Sequence, residues 1–218
     1  MLAQLFQKSG LVLVSLKRSG IKSIKDLKNR VISSWGGIFI YPIMAMDGEH
    51  DLDLQHVYFG ADVDKLQSGE VEVLTMMNYN EYFHLLEAGL KKEDLTVFPI
   101  AEFGYNIPED GLYTNREFFQ NQPEVCRNFK EATLRGWQLA NEHREEALDL
   151  VMSHHKRSSL PTSRLHQESM LDEVLKLIGD TNQHNGKLNQ EDFMKTVKVL
   201  NQIKLITQEI EIKDFYAG

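Results

Sequence analysis

Two short stretches carry side chains that could act together on a ligand. Residues 30–37 read RVISSWGG: an apolar run, then Trp35, then Gly36 and Gly37. A tryptophan at a strand end offers a flat face to an aromatic ring, or it is a core residue. A diglycine at a strand-to-helix turn can aim backbone N–H groups at an anion, or it is only a tight turn. Residues 78–82 read NYNEY, so Asn78, Tyr79 and Glu81 gather an amide, a phenol and a carboxylate just after another apolar run. That carboxylate could accept hydrogen bonds from a ligand amine, or it could sit at a helix start where the helix dipole favours its charge. The chemistry suggested is recognition by stacking and hydrogen bonding, with no bond made or broken.

Other residues tempt and carry less. Neighbouring residues on a helix point about 100° apart. His154 and His155 therefore lack the i,i+4 geometry of a helical chelate, and with His166 they read as solvated histidines. Residues 180–191, DTNQHNGKLNQE, mimic a calcium loop through Asp180, Asn182, His184 and Glu191. The loop's obligatory glycine position holds Asn185, however, and Lys187 stands where an apolar residue belongs. An interhelical loop is expected there. Cys126 lies between Val125 and Arg127 with no histidine nearby in sequence, so it reads as a buried structural thiol. There is no GxSxG, no P-loop and no GxGxxG after a strand. No metal and no cofactor is expected.

The elements that must position the two stretches follow from the pattern. Residues 11–16, LVLVSL, read as a buried strand. A turn and a short helical segment follow, with Ser23 as its N-cap. Residues 30–35 form the next strand, and Pro42 falls in the first turns of the helix after it. LQHVYF (54–59) is a strand, and the helix DVDKLQSG ends at Gly69. EVEVLTMM is a strand, the helix NEYFHLLEAG has Gly89 past its end, and LTVFPIAEF is a strand. This alternation predicts βαβ units and a mostly parallel sheet. Ligands on such sheets sit beyond the carboxyl ends of the strands, where both stretches lie. After Tyr113 the chain turns helical, with starts at Asn115 and at Gln122-Pro123. Phe118, Val125, Phe129, Leu134, Trp137 and Leu148 are expected to form a packed face. Two more helices are expected near 164–178 and 189–203.

Composition narrows the function classes. The chain has 218 residues and a formal net charge of −8. That sign repels phosphate backbones, so nucleic-acid binding is not expected. A single cysteine excludes an internal disulfide framework and a cysteine-rich zinc site. No apolar run approaches the ~20 residues a membrane span needs, and the N-terminus has no signal-peptide pattern.

The runs LFQKSGLVLVSLKRSGIKSIKDLKNRVISSWGG, GEVEVLTMMNYNEYFHLLEAGL, IPEDGLYTN and FKEATLRGWQLANEHREEALDLVM resemble the NMT1/THI5-like family of periplasmic substrate-binding proteins. The resemblance continues through HQESMLDEVLKLI to DFYAG. It implies an α/β, type II periplasmic-binding-protein-like fold: two lobes with a ligand in the cleft between them. It also implies a thiamine-precursor pyrimidine or similar heteroaromatic ligand, delivery to an ABC permease, and a periplasmic or extracytoplasmic location. Ring stacking is expected from Trp35, Tyr105 or Tyr113, and polar contacts from Gly36, Asn78, Tyr79 and Glu81. A eukaryotic branch of the family is enzymatic through a histidine and a cysteine-rich motif. This chain has only Cys126, outside any such motif, so binding without catalysis is expected. An extracytoplasmic sensing domain and a fragment without ligand are the alternatives.

By the resemblance, residues 17–104 form a complete second α/β lobe. Residues 1–16 and 105–218 form an incomplete first lobe with the C-terminal helices, because the family's N-terminal βαβαβ segment precedes the point matching Met1. A lobe short of strands exposes sheet edge and apolar surface, so self-association is expected.

Overall fold

The computed structural model describes residues 1–58, 61–183 and 185–217. Phe59 of the expected strand 54–59, His184 of the calcium-like loop and Gly218 of the tail lie outside the described residues. In chain order the strands are β1 (Ala3–Gln4), β2 (Leu11–Leu16), β3 (Val31–Ser33), β4 (Gln55–Val57), β5 (Val73–Met77), β6 (Leu95–Pro99) and β7 (Gly111–Leu112). The helices are α1 (Tyr41–His50), α2 (Val63–Ser68), α3 (Glu81–Glu87), α4 (Arg116–Asn121), α5 (Pro123–Glu142), α6 (Arg144–Ser158), α7 (Arg164–Ile178), α8 (Gln190–Gln202) and α9 (Ile212–Phe215). The chain folds into two compact units. A sheet unit holds Gly10–Ile107 and Met194–Gln208, and a helical unit holds Met1–Ser9, Pro108–Phe193 and residues 209–217.

The sheet unit is built on five strands in the order β4-β3-β5-β2-β6. β3 pairs parallel with both β4 and β5, while β2 pairs antiparallel with both β5 and β6. Four strands therefore run one way, and β2 alone is reversed between two of them. The expected mostly parallel sheet is a mixed one. The expected division of the chain shifts with it, since residues 11–16 belong to this sheet and not to the other unit.

The reason lies in the composition of β2. All six of its residues are buried. Leu11 and Leu13 point into one core with Ile32, Ile43, Met46 and Phe98. Val12, Val14 and Leu16 point into a second core with Leu66, Leu74, Met76 and Leu85. A strand apolar on both faces needs cover on both, and only an interior position supplies it. Burying each such side chain fully is worth ~1.5–3 kcal/mol, so an edge position for β2 would forfeit a large sum.

The helical unit holds a short ribbon, β1 antiparallel to β7 with Ala3 opposite Leu112. Leu2, Ala3, Leu5 and Phe6 around it are buried. Residues 185–187 cross close to this ribbon: the Gln4 N–H donates to the Gly186 carbonyl at 2.9 Å. Gly186 has φ +69°, and a Cβ added there would stand 2.7 Å from the Ala3 Cβ. In α7, Ser163 accepts a hydrogen bond from the His166 N–H at 3.0 Å and caps the helix start. Several described side chains of the calcium-like loop are spent on its own backbone. Asp180 accepts from Asn182 N, and Asn189 accepts from Glu191 N and Asp192 N.

The packed face expected of the helices is only partly packed. Cys126 is the one buried residue of the twenty in α5, and Leu148 the one in α6. Phe118, Val125 and Phe129 are exposed, and Leu134 and Trp137 are half-buried. The amphipathic pattern is present, but within this unit little lies over its apolar side.

Candidate functional site

Because β3, β4, β5 and β6 run the same way, their carboxyl ends share one edge of the sheet. The β2–β5 register puts Leu11 opposite Met77, so the start of β2 lies there too. Trp35 follows β3 by two residues, and Asn78 to Glu81 follow β5 directly. The structure brings these two stretches together at the ends of adjacent strands. Asn78 is fixed through its backbone, its N–H donating to the Gly10 carbonyl at 2.8 Å.

Trp35 is half-buried, and its ring meets Phe39 edge-on, with centroids 5.8 Å apart at 67°. Trp35, Phe39 and Tyr79 all pack against the rim of the first core. Trp35 is thus neither a free platform nor a core residue: one side is held and the rest is open. The next two residues are exposed, and a Cβ on either would meet nothing within 4 Å. Gly37 needs to be glycine because its φ is +73°, whereas Gly36 has an extended backbone that any residue adopts. A 3₁₀ turn (Gly37–Ile40) then feeds α1, and no side chain caps either start. The turn therefore presents backbone N–H groups beside open space, the arrangement an anionic or acceptor group of a ligand requires.

Glu81 opens α3 as expected, but its carboxylate is engaged locally. Oε2 accepts the Met77 N–H at 3.1 Å and Oε1 accepts the Asn80 side-chain amide at 3.0 Å. Asn80 holds the N-cap position without capping through its side chain. The carboxylate ties the end of β5 to the start of α3, which supports the helix-start reading of this residue.

Tyr105 does not join this group. Tyr105 is 4% exposed and sits in the first core, where its hydroxyl donates to Glu49 Oε2 of α1 at 3.0 Å. Burial, then the hydrogen bond and charge of Glu49, push its phenol well above the usual range. The same hydrogen bond holds the Glu49 carboxyl below its ordinary value. An enclosed ring has no face to offer a ligand, so Tyr105 acts as a core tyrosine. Tyr113 belongs to the helical unit and lies edge-on to Phe215, with centroids 6.2 Å apart.

Two residues were not singled out by sequence reasoning. Ser34 is 1% exposed, and its hydroxyl has no hydrogen-bond partner among the described residues. A lone buried hydroxyl at a strand end is costly unless something else satisfies it. The signal was a polar residue inside the run VISSW, between Ile32 and Trp35. Phe39 is the other, concealed in what reads as an ordinary apolar helix.

Known proteins match this chain in family and in fold. The family described as NMT1/THI5 like matches residues 1–147. The chain belongs to the NMT1/THI5-like family. No curated protein matches it. Among solved structures, the periplasmic aliphatic sulphonate binding protein SsuA from Escherichia coli is similar at 15% identity and TM-score 0.69, over 97% of this chain and 70% of that one. A putative sulfonate ABC transporter, periplasmic sulfonate-binding protein SsuA from Methylobacillus flagellatus KT, is similar at 18% identity and TM-score 0.66, over 100% of this chain and 66% of that one. The alkanesulfonate-binding protein SsuA from Xanthomonas axonopodis pv. citri bound to MOPS is similar at 11% identity and TM-score 0.61, over 99% and 72%. This NMT1/THI5-like chain thus spans 66–72% of the length of those proteins. At such identities the likeness is one of fold. The fold is α/β and of the type II periplasmic-binding-protein kind, and these three structures are named as sulfonate-binding proteins. No helix among the described residues is long and apolar enough to cross a membrane.

Proposed function

We propose that this protein is the solute-binding component of an ABC-type importer and performs no chemistry on its cargo. It would hold a flat heteroaromatic metabolite, of the thiamine-pyrimidine type, at the carboxyl edge of the five-stranded sheet. The observation that carries this reading is the meeting of Trp35 and Gly36 with Asn78 and Tyr79 at adjacent strand ends. Trp35, steadied by Phe39, stacks on the ring. The open turn at Gly36 meets a polar substituent. Family membership supports an extracytoplasmic location and a permease as partner. Self-association is a further expectation of the sequence.

The uncapped turn at Gly37–Ile40 favours a second ligand class, a sulfonate, the cargo named for the matched structures. One experiment separates the two. Tryptophan emission and melting temperature are followed while a thiamine-type pyrimidine or an alkanesulfonate is added. Ligand at a hundredfold excess over Kd stabilises by about 2.7 kcal/mol. Trp137 also emits, so Trp35→Phe is the control, and it should abolish the emission change. A response to the sulfonate alone moves the assignment to that class. No response to either removes the strand-end site as a binding site.

A further inference from the structure

Asn185–Gly186 is the one asparagine–glycine pair in the chain. It lies in the helical unit, in the loop before α8 that only imitates a calcium site. Asn185 is exposed and Gly186 is buried. The Asn185 Oδ1 accepts the Lys187 N–H at 3.0 Å. The Gly186 N–H donates to no group among the described residues. Its nitrogen is thus a nucleophile tethered beside the side-chain carbonyl carbon of Asn185, with no Cβ of its own to crowd the approach.

Three contacts hold Gly186 in place. Its carbonyl accepts the Gln4 N–H at 2.9 Å and the Tyr216 hydroxyl at 3.1 Å. The Ala3 side chain closes over its Cα, since a Cβ built there would stand 2.7 Å away. The nitrogen can swing toward Asn185 Cγ only if the residue shifts, and all three contacts oppose that shift.

We propose that Asn185 is a self-modification site, gated by release of Gly186 from β1 and Tyr216. On release, the Gly186 nitrogen bonds to Asn185 Cγ and gives its proton to water. Negative charge gathers on Oδ1, where the Lys187 N–H already donates. The Cγ–Nδ2 bond then breaks, and Nδ2 leaves as ammonia. One water opens the resulting cyclic imide. Opening at Cγ leaves an aspartate. Opening at the main-chain carbonyl leaves an isoaspartate, whose main chain is longer by a methylene. That methylene displaces the Gly186 carbonyl from Gln4 and Tyr216, so a transient release becomes permanent.

Asn189 supplies the contrast within the same loop. Its Oδ1 accepts the Glu191 N–H at 2.8 Å and the Asp192 N–H at 3.2 Å, a turn of the same kind. Gln190 follows it, however, and a side chain there crowds the attack. The glycine, not the turn, sets Asn185 apart. This inference does not rest on the ligand reading.

The test follows ammonia release and peptide masses of the full chain in mildly alkaline buffer, folded and in urea. A typical hydrogen bond is worth a factor of about five. With two on the Gly186 carbonyl, the folded chain should convert Asn185 at least about tenfold more slowly than the unfolded one. Tyr216→Phe removes one of them and should speed conversion in the folded state about fivefold. Exchange of the Gln4 amide hydrogen reads the same release directly. In the wild type, conversion and Gln4 exchange should share one dependence on urea below the unfolding transition, which keeps the test independent of the variant. Asn185→Gln should release no ammonia from this loop. Converted chains, separated by charge, should contain isoaspartate and melt lower than unconverted ones. A folded chain that converts as fast as the unfolded one overturns the inference. So does conversion that ignores Gln4 exchange, an unchanged rate in Tyr216→Phe, or conversion of Asn189 ahead of Asn185.

Discussion

Glu81→Gln tests whether the carboxylate at the site belongs to the fold or to a ligand. Both atoms facing it are donors: the Met77 N–H on Oε2 and the Asn80 amide on Oε1. Glutamine keeps one acceptor and turns its own NH₂ toward the other donor. One bond is lost, the other loses its charge assistance, and two donors face each other. A hydrogen bond to a charged group is worth ~1.5–3 kcal/mol, and Glu81 is half-buried, so a loss of about 2 kcal/mol is expected. The sequence, which allows a helix-start residue or a ligand contact, puts the stability cost under ~1 kcal/mol. In a chain of this length each kcal/mol moves the melting temperature by about 2–4 °C. The variant should therefore melt about 4–8 °C lower, with ligand affinity changed less than about threefold. Melting curves paired with calorimetric titration give both quantities. A variant that melts like the wild type but binds about tenfold more weakly would show that Glu81 faces the ligand and that the strand-to-helix tie contributes nothing.

Two further perturbations probe the packing of the sheet unit and of the helical unit. The Glu49 carboxyl is held below its ordinary value near 4.5, chiefly by the Tyr105 hydroxyl; a depressed carboxylate stabilises above that value, and the benefit is lost as pH falls through the folded-state value. Tyr105→Phe should cost about 1 kcal/mol at neutral pH, with the gap to wild type closing below pH 4.5; a gap independent of pH in urea melts would mean that the bond is not the source. Gly186→Ala forces a left-handed backbone on alanine and drives its Cβ against Ala3. The strain and overpacking together should cost about 2–4 kcal/mol, and a shift in urea midpoint worth under ~0.5 kcal/mol would show that the β1–β7 ribbon gives way.

Local signals were read well where they depend on one element. Gly69 past α2 is left-handed, Pro42 sits in the first turn of α1, and Arg164–Ile178 and Gln190–Gln202 fall where the periodicity puts them. What pairing partners decide was not legible. LVLVSL announces a buried strand, but nothing in those six residues says that it runs against its neighbours. Ala3–Gln4 is too short to show a period, and only Gly111–Leu112 across from it makes it a strand. The placement of Trp35 and the NYNEY cluster at adjacent strand ends was legible because strand ends in α/β sheets are constrained by topology. Tyr105 misled because it follows β6 as a site residue would. The 3₁₀ turn Ile100–Phe103 and the left-handed Gly104 fold the chain back, however, and bury it.

The reversed strand also bears on how the chain is made. β2 leaves the ribosome early, but the first strand to flank it in the sheet begins at Val73, some 57 residues after Leu16. At about 5–20 residues per second, the segment LVLVSL waits roughly 3–11 s before its first neighbour exists. Its second neighbour, β6, comes later still. During that interval six residues, five of them apolar, with two unsatisfied edges are accessible to any other strand, including those of sister chains. The interior position that makes β2 secure in the finished sheet thus makes it the last part of that sheet to become safe, and a chaperone that holds extended apolar segments is best placed to act there.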